Sequence, residues 1–116
     1  MSSTDPNLGI NYGWTLGESG WDTGMDANLK RLGAVVGLSV KDRGRTPPPA
    51  SPANGDRYIV PAAATGVWAG KTNQIAVRIG GVWEFYAPQI GWLCYIEDEA
   101  KLSAFKPGGW SAGVAI

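Results

Sequence analysis

Glycine and proline interrupt this chain so often that no regular element can run far. They number 17 and 8 among 116 residues, just below the density of low-complexity chains. Disorder is nevertheless excluded. With 44% apolar residues and 6 Trp, the chain has ample surface to bury. The length suits one domain rather than two. Frequent turns combined with abundant aromatics predict a mainly β fold: a small antiparallel meander or sandwich, preceded by an extended arm and one short helix.

Residues 1–24 hold Gly9, Gly13, Gly17, Gly20 and Gly24, with Tyr12, Trp14 and Trp21 between them. Such a backbone orders only when it packs on something. It is read as an extended arm that docks on another surface. A helix is predicted over 25–36, with Asp22 or Thr23 capping its start and Gly37 ending it. Met25, Leu29, Leu32 and Val36 form its apolar face, at steps of four, three and four, and Lys30 and Arg31 lie opposite. At about 12 residues it needs a partner surface. Residues 1–37 are therefore an arm-and-helix region, and 38–116 a β-rich domain.

Within that domain, residues 38–42 alternate as a short strand. Four prolines in 46–55 exclude helix and central strand. A rigid strap turning at Asn54-Gly55 is expected there. Residues 57–60 read as a strand. Residues 75–79 and 82–86 flank Gly80-Gly81, the strongest hairpin signal in the chain. A second hairpin joins 91–96 to 101–105 through an acidic tip of Glu97, Asp98 and Glu99, read as solvated. Gly108-Gly109 makes another turn, and 114–116 a last strand. Five or six strands result.

Absences narrow the function. Lys plus Arg equal Asp plus Glu at 10 each, so no net field attracts nucleic acid or an anionic membrane. There is no His, which removes His-based triads and His-ligated metals. One Cys, Cys94, cannot make an intrachain disulfide or a Cys-rich zinc site. It is read as a small buried hydrophobe. No apolar run approaches membrane-spanning length, and the first residues lack the marks of a secretory signal. No catalytic residues, metal or cofactor are assigned, and the chain is not expected to be an enzyme. Synthesis in a bacterial cytoplasm is expected. Lys41, Arg43 and Arg45 alternate before the prolines; they are read as charges guarding a sheet edge, with anion binding as the alternative.

Tryptophan is the main functional signal. Trp68, Trp83, Trp92 and Trp110 lie beside glycines at steps of 15, 9 and 18, too irregular for a repeat. Exposed indoles stack on sugar rings. The glycan-binding candidates are Trp68, Trp92 and Trp110, with Tyr86 on the sheet face opposite Trp83. Burial in a core or subunit interface is the competing reading. Trp83 and Phe85 share a face and are assigned to the core. In the arm and helix, Tyr12, Trp14, Trp21, Met25, Leu29 and Leu32 are the candidate attachment pegs.

Two segments carry a resemblance. Asn11-Tyr12-Gly13-Trp14-Thr15-Leu16-Gly17-Glu18, then Gly20-Trp21-Asp22 and the run from Met25 to Leu32, resemble the attachment segment of phage fibre proteins. Residues 38–110 are similar to a domain family of unknown function common in virion proteins of tailed phages and in gene transfer agents of alphaproteobacteria. The motifs are Val40-Lys41-Asp42-Arg43, Pro47-Pro48, Gly55-Asp56-Arg57-Tyr58-Ile59-Val60, Gly66-Val67-Trp68, Gly81-Val82-Trp83 and Gly91-Trp92. The resemblance implies a virion structural protein: a short fibre, head spike or adaptor subunit on tail or head, touching a host-surface glycan. It implies docking on portal, tail, baseplate or capsid proteins, and a homo-oligomer, trimeric by analogy with fibres. A carbohydrate-binding module and a capsid decoration protein are the alternatives.

Overall fold

The computed structural model describes residues 2–116, which form two compact units divided between Val36 and Gly37.

The first unit opens with a small antiparallel hairpin, β1 (Ser3–Thr4) and β2 (Asn11–Tyr12), where the sequence suggested an arm without strands. Asp5 shapes the loop between them. Its carboxylate accepts the Leu8 N–H at 2.7 Å, and its carbonyl accepts the Gly9 N–H at 2.9 Å. The Leu8 bond, which favours the charged form, leads the causes that lower the Asp5 pKa.

Helix α1 spans Trp21–Val35, 15 residues, starting four residues earlier than the spacing predicts. Asp22 and Thr23 are therefore inside the first turn, and neither caps it. The cap position is Gly20, in a left-handed conformation that glycine tolerates (φ 87°). Asp22 still suits the helix dipole. Gly37, at φ 63°, follows the C-terminal end as expected.

The second unit is built from eight strands. β4 (Arg57–Ile59), β5 (Ile75–Ile79) and β6 (Val82–Tyr86) form a three-stranded antiparallel meander. The Gly80-Gly81 turn has positive φ at both residues (59° and 83°), as the hairpin signal requires. The second sheet runs β10 (Val114–Ala115), β8 (Lys101–Lys106), β7 (Leu93–Ile96), β3 (Ser39–Val40), with β9 (Gly109–Trp110) also paired to β8. The two hairpins were legible from sequence. The β3–β7 pairing was not: it is parallel and joins segments more than 50 residues apart.

Residues 38–42 link the two sheets. Leu38 and Val40 carbonyls accept the N–H groups of Tyr95 and Glu97 at 3.1 and 2.9 Å. On the other side the Lys41 N–H donates to Arg57 at 2.8 Å, and Ile59 donates to Asp42 at 3.2 Å. The segment meets backbone on both sides, so Lys41, its one basic residue, guards no open edge. Overall the chain is mainly β with one helix, in three mostly antiparallel sheets.

The core of the meander gathers Tyr58, Val60, Trp68 and Ala76, with Ala64, Trp83 and Phe85 packed against it. Trp68 is delivered by a 3-10 turn, Gly66–Trp68. Its ring meets Tyr58 at 5.5 Å and Trp83 edge-on at 5.2 Å between centroids, separations favourable for aromatic pairs. Its indole N–H has no hydrogen-bond acceptor among the described residues. The Pro-rich segment lies over this turn as a strap: Thr46 accepts the Thr65 N–H at 2.9 Å, and Pro48 sits beside Gly66. The opposite face of the meander is buried too, through Ile59, Ile75, Val77 and Tyr86.

Candidate functional site

The glycine-rich arm of the first unit is docked, and its dock is its own helix. The Trp14 ring lies so close to Gly24 that a Cβ there would overlap its six-membered ring. Asn11 and Asn28 exchange two bonds: the Asn11 N–H donates to Asn28 Oδ1 at 2.8 Å, and Asn28 Nδ2 donates to the Asn11 carbonyl at 2.9 Å. A Cβ on Gly9 would stand 3.1 Å from the Arg31 guanidinium carbon. Arm residues 14, 11 and 9 thus meet helix residues 24, 28 and 31. Steps of four and three keep these helix positions on one face. Asn28 is buried there at 4% exposure. A polar residue on the inner face hides this contact from a reading that counts only apolar spacing.

The face chosen by apolar spacing is left exposed. Trp21, Met25, Leu29, Leu32 and Val36 keep 58, 38, 60, 38 and 60% of their surface. They lie about 100° around the helix axis from the arm contact. Gly33 borders this stripe, and among the described residues nothing beyond its own helix backbone lies within 4 Å of where its Cβ would be. In mid-helix a glycine costs about 1 kcal/mol relative to alanine. Gly24 is needed to admit Trp14; among the described residues no such contact is seen at Gly33. Of the attachment candidates, Tyr12 (55% exposed), Trp21, Met25, Leu29 and Leu32 stand at the surface. Trp14 is half-buried against the helix and is committed inside the unit.

In the second unit the aromatic candidates separate. Trp68 is fully buried and Tyr86 is 6% exposed, so neither can stack on a sugar. Alternation assigned Tyr86 to the face opposite Trp83, but that face is also core. Trp92 and Trp110 are half-buried. They stand on either side of Phe105. Gly91, at φ 97°, and Trp92 form a bulge opposite it: the Phe105 carbonyl accepts the Gly91 N–H and its N–H donates to Trp92, both at 2.9 Å. Phe105 pairs with Trp110 in register, their rings 5.2 Å apart and edge-on. Trp110 Nε1–H donates to the Asn73 carbonyl at 2.9 Å, which holds the indole in place.

The basic and acidic groups serve the fold. Arg43 grips Glu99 with two bonds of 2.8 Å and donates to the Ser111 and Ala112 carbonyls at 2.8 and 3.0 Å. The guanidinium holds the Glu99 carboxyl below its ordinary range, and Glu99 in turn raises Arg43. Glu97 accepts the Ser39 hydroxyl at 2.7 Å. The hairpin tip is therefore partly a tie to β3 and the C-terminal loop. Arg45 lies 3.9 Å from Asp42 and over the Tyr58 ring. An open cleft of about 410 Å³ is lined by Asp42, Gly44, Arg45, Thr46, Pro47 and Asp98. Burial pushes the Cys94 thiol up to about 12 and suppresses thiolate chemistry. Among the described residues no three His, Cys, Asp or Glu side chains converge as a metal site, and no helix is long and apolar enough to cross a membrane.

The fold and these surfaces define a small mainly β protein with one helix that carries an exposed apolar stripe. The chain belongs to the family described as "Protein of unknown function (DUF2793)", which matches residues 25–111. The match begins inside α1 and leaves the hairpin and the Trp14 segment outside. No curated protein and no solved structure matches the chain.

Proposed function

We propose that this protein is a structural subunit of a phage-type particle: a short fibre, spike or adaptor that works by assembly rather than by catalysis. One observation carries the reading. A helix whose own arm is already docked still presents a continuous row of large apolar side chains to solvent. Such a patch marks an interaction surface. The sequence resemblance to virion attachment segments and fibre-associated domains supplies the kind of assembly, with other virion proteins as partners and the particle as location. The test is proteomic and structural. Particles purified from the producing bacterium are expected to contain the chain in stoichiometric amount, and a reconstruction to locate it on head or tail. Its absence from washed particles would overturn the reading.

A second reading, recognition of a host-surface glycan, is favoured by the partly exposed Trp92 and Trp110 beside Phe105. Stacking on sugar rings is a common use of such indoles. Host polysaccharide is expected to shift tryptophan emission in the wild type and not in a Trp92→Ala/Trp110→Ala variant. An unshifted spectrum at millimolar sugar removes it.

A further inference from the structure

We propose that Asn54 is a latent covalent modification site: the folded turn holds it unreacted, and it converts to isoaspartate when the β4–β5 end of the meander opens. The proposal is independent of the assembly reading above.

The sequence supplies the reactive pair. An asparagine amide is open to attack by the backbone nitrogen of the next residue, and the attack is least hindered when that residue is glycine, which has no Cβ. Asn7, Asn11, Asn28 and Asn73 precede Leu, Tyr, Leu and Gln; Asn54 alone precedes Gly. Asn54 and Gly55 are both exposed, so water reaches them. Water is the one co-reactant needed. Gly55 N bonds to Asn54 Cγ, the Cγ–Nδ2 bond breaks, and the Gly55 proton leaves with the amide nitrogen as ammonia. Water then opens the resulting cyclic imide at either carbonyl. One opening gives aspartate. The other gives isoaspartate, whose main chain runs through Cβ and Cγ and is one atom longer.

The fold holds this chemistry off. Gly55 has φ 92°, Asn54 is not among the residues of positive φ, and the Asp56 N–H donates to the Ala53 carbonyl at 3.1 Å. That is a type II turn, in which the first central residue has ψ of about +120°. Ring closure has to rotate this bond to bring Gly55 N onto Asn54 Cγ. Both reacting groups are also tied to the neighbouring hairpin. The Gly55 N–H donates to the Arg78 carbonyl at 2.6 Å, which engages the proton that must be lost, and Asn54 Oδ1 accepts the Gly80 N–H at 3.0 Å. Asp56 closes the turn from its other side, where Oδ2 accepts the Ala53 N–H at 2.9 Å. Reaction therefore waits on local opening, which exposed turns undergo more readily than core strands. The two products differ in consequence. Aspartate keeps an oxygen for the Gly80 N–H. Isoaspartate lengthens the backbone and carries the Gly55 N–H off Arg78.

The full chain held at neutral pH, folded or in guanidinium chloride, tests this. Digestion, chromatography and mass spectrometry count isoaspartate at each asparagine. The unfolded chain is expected to convert at Asn54, and the folded chain to convert about tenfold or more slowly. Asp56→Ala, which leaves the reacting pair intact, should speed conversion while circular dichroism shows the β unit folded. Guanidinium below the global melt should speed it in the wild type too, so the test stands even if Asp56→Ala unfolds. Asn54→Asp should melt as the wild type does, and the purified isoaspartate form should melt earlier. Folded conversion as fast as unfolded, no acceleration by Asp56→Ala or by guanidinium below the melt, or faster conversion at another asparagine overturns the proposal.

Discussion

Two aromatic and aliphatic clusters of this protein follow opposite logic. Around Trp68 the apolar side chains close on themselves: Tyr58, Val60 and Ala76 surround the indole, and the strap lies over the turn that delivers it. Along α1 the large apolar side chains of Trp21, Met25, Leu29, Leu32 and Val36 turn outward, although Ala34 and Val35 are buried, and a buried Asn, a Gly and an Arg guanidinium receive the arm. The difference shows that hydrophobicity alone does not select a core. Trp68 has three strands and a strap to enclose it. The helix has one short arm, fixed by hydrogen bonds to Asn28 and by a single indole ring on Gly24. On the proposed reading, the large side chains left over in such a unit serve contacts beyond it.

The contrast predicts a hierarchy of effects. Trp68→Ala should be the most damaging substitution. Emptying a fully buried indole site costs about 3–5 kcal/mol, enough to unfold a marginal domain. A denaturant melt of the β unit followed by circular dichroism measures it, and a loss under about 1 kcal/mol would deny Trp68 its central place. Next is Gly24→Val. The new side chain must displace the Trp14 ring, with a cost of about 1–3 kcal/mol confined to the arm and helix. Trp14 emission should move to the red while the Trp68 cluster melts as before. If both clusters weakened together, the two regions would not be independent.

The third test is a pH dependence within the β unit. Arg43 lowers the folded-state pKa of Glu99 below its ordinary 4.5. A depressed carboxylate stabilises the fold above its unfolded pKa and loses that contribution as pH falls through the folded value. Glu99→Gln should therefore be less stable than wild type at pH 7, by about 1 kcal/mol for a partly exposed charge-assisted pair. The gap should close as the pH drops below 4.5 toward the acid limit. A gap that widened in acid would contradict the pairing. Smallest is Leu29→Ser on the exposed stripe. Measured on dilute protein, it should change stability by no more than about 0.5 kcal/mol. A larger loss would mean that Leu29 supports the fold.

Much of the β framework was readable because its signals are local. Gly80-Gly81 demands positive φ at adjacent residues, and the alternating residues on either side can only pair with each other. The start of α1 was missed because Gly20 caps it without a side chain, so the familiar polar cap at Asp22 or Thr23 was misleading. Lys41 was read as an edge charge, and Arg43 was not recognised as the tie to Glu99, because their partners at residues 57 and 99 lie too far along the chain for spacing to carry a signal. Trp68 looked like a glycan platform as a Trp beside glycine, and the 3-10 turn that buries it leaves no spacing signal; Tyr86 looked like one because alternation assumes that one sheet face is wet. In this meander both faces are dry.

Composition and turn chemistry by themselves determined that the chain would be mainly β, with short strands, tight glycine turns and one helix of fixed apolar period. Those properties depend on neighbours within a few residues. Tertiary structure decided which apolar groups are enclosed, which basic residues are tied into the framework, and which helix face receives the arm. Each of these turns on the meeting of segments far apart in the chain, where a ring against Gly24 or an amide pair at Asn28 outweighs hydrophobic spacing.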